Sequence, residues 1–529
     1  MARVIGIDLG TTNTLAAWAD GRVPRIVPTE RGHNHVPSVV AVTGGRIVVG
    51  HPAREQLLIH PASTITGSKR LLGRPFSSPV VQRLKRKLAW EVVEGAHGTA
   101  AARIPHDDGG GADIHELTDV SAVLLKTIAR YAEAHLGGPI DGAVVSVPAY
   151  YPLTQREAVR TAAKAAGLDV WRLVNEPTAA ALAYGIGRNI NQKLLVFDLG
   201  GGTFDVSVLE VQGGTFQVLA TGGDGALGGV DFDIRLCDHL LDRFEQENGV
   251  SVRDDATVVQ RVLFAAETAK QDLSLLQHTE VRLPFVKQTV RGKPLDLVMH
   301  VSRLQLVKLT EDLIERASAA VDDVLASAGL SHSEIDEVLV AGGQTRMPAI
   351  QARLEKQFGR PPRRGVNPDE VVAQGAALLA RSLSGNAVQL YDVLSLPVGI
   401  VAVDKSGIPR VQTVLAKNAQ LPVEAAVDVV VGPSRRVDLY QVPNARETDP
   451  ALCEPLGGVL LTDKQPGDRC TLTLRIDADT RLEIKEGSRI LELRAGRGEE
   501  APRRQWPKTD PQMTTATTST SLLGRLFRR

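Results

Sequence analysis

The chain carries one short pattern twice. "VIGIDLGTTNT" at 4–14 and "LLVFDLGGGTF" at 194–204 each run an apolar strand into Asp-Leu-Gly, then small residues and a hydroxyl, at an offset of 190 residues. A supersecondary unit repeated at that distance predicts two related lobes, each giving one loop to a shared cleft. Around the two copies, short Val/Ile-rich runs alternate with Ala/Leu-rich stretches up to about residue 383. Strands are expected at 4–7, 39–42, 143–147, 194–197, 206–209 and 338–340, and helices at 120–135, 155–166, 258–276, 301–328 and 371–383. This alternation predicts an α/β architecture.

Taken alone, "DLGGGTFD" reads either as a glycine-rich hairpin turn or as a loop whose backbone approaches something charged. The echo favours the second reading. Bare backbone N–H groups at Gly201 and Gly202 can bind phosphate, and the hydroxyls of Thr11, Thr12 and Thr203 add donors. Asp8, Asp198 and Asp205 would repel phosphate unless a cation sat between, which implies Mg²⁺ held partly through water. In "VLVAGGQTRMP" (338–348), Gly342-Gly343 is either a strand-to-helix turn needing positive φ or a close approach to a flat ligand such as adenine or ribose. In "NEPTAAALAYG" (175–185), Pro177 suits the first helical position. Glu176 there either complements the helix dipole or positions a metal-bound or attacking water.

After Leu383 the character changes. "SGNAVQLYD" (384–392) has the small and polar residues of a linker, and 393–494 shows short β-type runs between Pro/Gly turns. Residues 495–529 are Pro/Thr-rich and low in complexity, which predicts a disordered basic tail. Its last residues, "LLGRLFRR", are a frayed terminus or a membrane-surface or partner-docking motif. Lys+Arg and Asp+Glu both number 61, so nothing global argues for nucleic acid or acidic lipid. The three cysteines, Cys237, Cys453 and Cys470, have no zinc-ligand spacing and suit a reducing cytoplasm. No apolar run is long enough to span a bilayer.

Nine motifs then occur in order: "GIDLGTTN", "SKRLLGR", "VVSVPAYY", "NEPTAAALAYG", "FDLGGGTFDVSVL", "LGGVDFD", "AAETAKQDLS", "VLVAGGQTRMP" and "NPDEVVAQGAA". Over residues 1–383 the chain resembles the nucleotide-binding domain of the 70-kilodalton heat-shock (DnaK-like) chaperone family. The resemblance implies an actin-like ATPase (two lobes, ribonuclease-H-like duplicated subdomains) followed by a β-sandwich. It implies ATP/ADP with Mg²⁺ in the central cleft, and K⁺ as a candidate accessory ion. Carried over by motif, Thr11, Thr12 and Asn13 form one phosphate loop and Gly201, Gly202 and Thr203 the other. Asp8, Asp198 and Asp205 surround the metal, and Lys69, Glu176, Asp198 and Thr203 form the catalytic group. Glu267, Lys270, Ser274, Gly342, Gly343, Gln344, Arg346 and Asp369 surround the adenosine. Pro148 and Arg156 match a proline switch and its relay arginine, and Arg172 a coupling position for J-domain partners and the β-domain.

Beyond the linker, "VQTVLAKNAQLPVE" and "LTLRIDADTRLEIK" resemble parts of the family's peptide-binding sandwich. Val411, Val437 and Leu439 fall either at its peptide groove or in ordinary sandwich core. Three departures stand out. Gln389 interrupts the linker's apolar run, Thr480 replaces a usual glycine in "DADT", and only about 35 residues follow the β-domain, so the helical lid is expected to be absent. The resemblance implies an ATP-dependent, lidless chaperone acting on unfolded or apolar peptide segments, monomeric, with a J-domain co-chaperone and a nucleotide-exchange factor. The alternative is a nucleotide-gated adaptor docking one dedicated partner.

Overall fold

The computed structural model describes residues 2–494 apart from 22, 107–109, 289–291, 364–366, 386–387, 404–407 and 444–446. The 495–529 tail, with what its sequence suggests about disorder and a lid, lies outside the described residues. Ten strands position the site. β1 (Val4–Leu9), β2 (Asn13–Asp20), β3 (Val23–Ile26), β4 (Gly142–Val147) and β5 (Val170–Asn175) build one sheet in the order β5-β4-β1-β2-β3. β6 (Asn191–Leu199), β7 (Phe204–Gln212), β8 (Thr215–Asp224), β9 (Glu337–Ala341) and β10 (Gln389–Tyr391) build a second in the order β9-β6-β7-β8-β10.

The two sheets repeat one plan. β1 pairs antiparallel with β2 and parallel with β4; β6 pairs antiparallel with β7 and parallel with β9. Strands flanked by parallel partners are covered on both faces, so they read as unbroken apolar runs, and "GAVVSV" in β4 is buried throughout. Every expected strand forms, extended by one or more residues at an end or shifted by one. Three of the expected helices form with small shifts, as α1 (Leu117–Leu136), α2 (Leu153–Ala165) and α5 (Ala256–Leu275), and the helix expected at 371–383 forms at those bounds. The helix expected at 301–328 is corrected. Val301 pairs with Thr279 in a hairpin, a Ser302/Gln305 capping box starts α6 (Arg303–Leu309), and the chain breaks at Thr310 before α7 (Glu311–Ala328).

Between the sheets lie α3 (Glu176–Gly185) and α9 (Val371–Leu383), while α4 (Gly229–Asn248) and α8 (Pro348–Phe358) pack into the core of the second half. One core joins Val4, Val144 and Val174 of the first sheet to Leu194, Val196 and Leu339 of the second through both helices. Their sequences, "EPTAAALAYG" and "VVAQGAALLARSL", are small-residue rich because the backbones nearly touch. A Cβ on Gly375 would stand 1.7 Å from the Ala179 carbonyl oxygen, and one on Gly6 would stand 2.0 Å from the Ala377 amide nitrogen.

Past the linker, the β-rich segment forms two antiparallel four-stranded sheets. Val398, Ile400 and Leu439 from one share a core with Val427, Leu472 and Ile476 from the other, and Leu153 of α2 joins it. Linker residues 389–391 are not a free tether. They form β10, parallel to β8, and Gln389 accepts a hydrogen bond from the Thr215 hydroxyl at 3.1 Å. Thr480 takes φ 62°, so the turn keeps a left-handed backbone that a β-branched residue adopts only under strain.

Gly375→Val forces the two central helices apart. Overpacking of that size costs about 3 kcal/mol, so the melting temperature is expected to fall by roughly 4 °C or more in a thermal scan.

Candidate functional site

A cavity of about 1100 Å³ opens between the two sheets, lined from both halves of the chain. The Asp-Leu-Gly loops close its floor by touching each other. A Cβ on Gly201 would fall 1.9 Å from Thr12 Oγ1, and one on Gly202 would fall 2.5 Å from Thr11 Cγ2. These glycines are therefore required by the opposite loop, whatever else their amides meet. Gly342, at φ 81°, serves both the turn and a close approach, but its neighbour is backbone. Its Cβ would stand 2.4 Å from the Leu199 carbonyl carbon and oxygen.

The lysine and the carboxylates come from separate elements. Lys69 sits in a 3₁₀ turn (Ser68–Arg70), and Glu176 opens α3 with Pro177 behind it. Lys69 Nζ donates to Glu176 Oε1 at 2.6 Å, with both side chains buried. Burial alone would lower the ammonium pKa, but Glu176, the Tyr151 phenol and Asp8 outweigh it and hold it above its ordinary value. Asp8 ends β1 and accepts from the Ser146 hydroxyl at 3.0 Å; Asp198 and Asp205 face each other across the β6–β7 register. Burial, then the charge of Glu176, pushes the Asp8 and Asp205 carboxyls up to about 7. Asp198 is raised by the same causes, with Asp205 and Asp8 adding to them. Lys69 thus stands among four carboxyl groups whose charge a bound cation would help balance.

Thr11, Thr12, Asn13, Gly201 and Thr203 line the cavity with Asp8, Lys69, Glu176 and Asp198. Gly202 and Asp205 are not among its lining residues; Asp205 instead accepts from the Tyr150 amide at 2.9 Å. The Asn13 side-chain oxygen is buried and meets no hydrogen-bond partner among the described residues. At the far end, Glu267, Lys270 and Ser274 lie along α5, opposite Gly342, Gly343, Gln344, Arg346 and Asp369. Each charged member already has a partner. Glu267 pairs with Arg54 at 2.7 Å, Lys270 with Asp233 at 2.8 Å, and Arg346 with Asp369 at 2.6 Å.

Three cross-cleft contacts were not legible in the sequence: Arg54 to Glu267, Arg70 to Asp231 at 3.2 Å, and Asn34 to Glu370 at 2.9 Å. Arg70 lay inside "SKRLLGR", but Arg54 and Asn34 belong to no motif and gave no signal.

The remaining residues lie away from the cavity. Arg156 is buried, and burial lowers its pKa to about 10. Its guanidinium donates to the carbonyls of Ala149 at 3.0 Å and Pro148 at 3.4 Å, and to Asn175 Oδ1 at 2.6 Å. Asn175 Nδ2 donates in turn to Asp392, the last residue of the linker, at 2.9 Å. Arg172 stands 3.7 Å from Asp479 of the β-rich segment, whose carbonyl also accepts from Arg160. Val411, Val437 and Leu439 are buried at 3%, 8% and 0% exposure. Val437 and Leu439 belong to the core shared by the two β-rich sheets, and Val411 to a smaller cluster with Tyr440, Val442 and Cys453.

Together these features define a mixed α/β protein with a duplicated sheet-and-loop unit around one cleft, followed by a pair of antiparallel sheets. The family description "Hsp70 protein" matches residues 4–485, and the chain belongs to that family. Its members are ATPases that bind ATP or ADP, generally with Mg²⁺, and act as chaperones. Among the described residues, no helix is long and apolar enough to cross a membrane.

The raised carboxyls fix a pH dependence in the metal-free chain. Asp8 holds its proton more tightly folded than unfolded, so its stabilising contribution is full below about 4 and is lost as pH climbs through about 7. Asp8→Asn removes that loss. Its melting temperature, measured without divalent ions, is expected to gain on the wild type between about pH 5 and about pH 8.

Proposed function

We propose that the chain is a Mg²⁺-dependent ATPase of the actin-like type that couples hydrolysis of ATP to ADP and phosphate with binding of unfolded or apolar peptide segments. The observation that carries this reading is the meeting of both Asp-Leu-Gly loops with the buried Lys69–Glu176 pair in one cavity. The loop amides and the Thr11, Thr12 and Thr203 hydroxyls would hold the phosphates. Lys69 would stabilise charge developing on the γ-phosphoryl group, and Glu176, already bonded to Lys69, would orient the attacking water.

The donor set fits a hydrated Mg²⁺. Asp8, Asp198 and Asp205 are oxygen donors with unbalanced negative charge. Among the described residues no group of three or more His, Cys, Asp or Glu could hold a metal ion directly. When bound, Mg²⁺ would neutralise phosphate charge beside these carboxylates. No feature of the donor set calls for K⁺. The α5 residues Glu267, Lys270 and Ser274 and the facing Gly342–Arg346 turn would hold the adenosine.

Coupling would run through the chain Pro148, Arg156, Asn175 and Asp392, and through Arg172 at the β-rich segment. Because Val411, Val437 and Leu439 are core in this arrangement, peptide capture through them would require the sandwich to rearrange. A J-domain partner and a nucleotide-exchange factor belong to the same reading, as does a cytoplasmic location, which the three free cysteines suit.

Purified chain is expected to hydrolyse ATP only with Mg²⁺, faster with an unfolded peptide, and Lys69→Ala to lose about 100-fold or more in kcat. That variant leaves Glu176 buried without its partner at a cost of about 3–5 kcal/mol, so turnover is read beside a melting curve. Wild-type rates from a folded Lys69→Ala protein would sink the ATPase reading. Indifference to peptide would favour the adaptor.

A further inference from the structure

We propose that Tyr151 is a positioning residue for Lys69, acting through the lysine's main-chain carbonyl. The inference rests on reading the cleft as an ATP-hydrolysing site and adds a residue to it.

Lys69 sits in the middle of its 3₁₀ turn. The amides of Arg70, Leu71 and Leu72 turn back to the carbonyls of Gly67 and Ser68. The Lys69 carbonyl is taken by side chains instead. The Tyr151 hydroxyl donates to it at 2.6 Å, and Gln155 Nε2 donates at 3.4 Å. Both donors are buried, Tyr151 at 3% exposure and Gln155 at 0%. Tyr151 also touches the other end of the same residue, since Lys69 Nζ stands 5.8 Å from its ring centre. Burial raises the phenol's pKa, so the hydroxyl keeps the proton that it donates.

A buried tyrosine is most often a core residue with a satisfied hydroxyl. Two observations argue for more. The hydroxyl's acceptor belongs to the one residue whose ammonium meets Glu176. Tyr151 also sits on a strap anchored at both ends. Its own carbonyl accepts from Arg156 Nε at 3.2 Å; the Tyr150 amide is held by Asp205. The Tyr150 hydroxyl donates to Pro443 O at 2.5 Å, and the Leu153 amide to Gln441 Oε1 at 2.6 Å, both in the β-rich segment. The turn that carries Lys69 is thus pinned to a segment that touches a cleft carboxylate and the β-rich sheets together. Without the hydroxyl, only the longer Gln155 bond meets the Lys69 carbonyl. The ammonium, at the end of a four-carbon stem, then loses its fixed origin.

Tyr151→Phe removes the hydroxyl and keeps the ring. The expected result is a fall of about tenfold in kcat for ATP, because misplacement on the ångström scale is costly in the reacting geometry, with the nucleotide dissociation constant changed by less than about twofold. Amide hydrogen exchange over residues 68–72 should be faster in the variant. Gln155→Met, which removes the weaker bond, should show both effects to a smaller degree and serves if Tyr151→Phe does not fold. Unchanged kcat, a loss matched by weaker nucleotide binding, or unchanged exchange in that segment overturns the inference. A wild-type chain with no turnover overturns the ATPase reading instead, and the exchange comparison then still decides whether the tether holds.

Discussion

The contact on which the rest depends is the near-touching of two helix backbones. Gly375 lies against the Ala179 carbonyl with no room for a methyl group, and Gly6 lies against the same helix from the first sheet. Interiors are packed densely enough that such a contact transmits displacement with little slack. Because α3 and α9 bridge the cores of both sheets, their crossing sets the separation of the two Asp-Leu-Gly loops. It also fixes Glu176, the first residue of α3, relative to Asp8 at the end of β1 and Asp198 at the end of β6. The geometry of the cleft is therefore a property of the helix pair before it is a property of any loop.

Within that frame, electrostatics is unbalanced by design of the sequence. Asp8, Glu176, Asp198 and Asp205 gather around the buried Lys69 ammonium. Buried like charges are tolerated in a fold only where something repays their desolvation. On the proposed reading the metal and the nucleotide would repay that cost. The Arg54–Glu267, Arg70–Asp231 and Asn34–Glu370 contacts then act as closures across the mouth, each drawing one partner from either side.

Much of this was legible in the sequence because the signals were periodic or repeated. The two Asp-Leu-Gly units fixed the duplication, and buried parallel strands announced themselves as apolar runs such as "VVSV". Legibility failed where long-range contact overrides local character. Val301 looks helical beside its neighbours but is claimed by Thr279 across a hairpin. Gln389 looks like a defect in an apolar linker but finds Thr215. Glycines 201 and 202 read as phosphate contacts, and only the fold reveals that the opposite loop also demands them. Arg54 and Asn34 could not be found at all, since an isolated polar residue shows its partner only after the chain has folded.

The strand formed by Gln389–Tyr391 has a consequence beyond linkage. It covers the outer edge of β8, pairing along Thr215, Phe216 and Gln217. An uncovered edge strand offers unpaired amides and carbonyls to any other extended chain. Any state in which the linker leaves would bare that edge beside the buried Phe216, turning a mechanical connection into an adhesive one. The same three residues that tie the two parts of the molecule together thus also cover a strand edge that would otherwise be open to other chains.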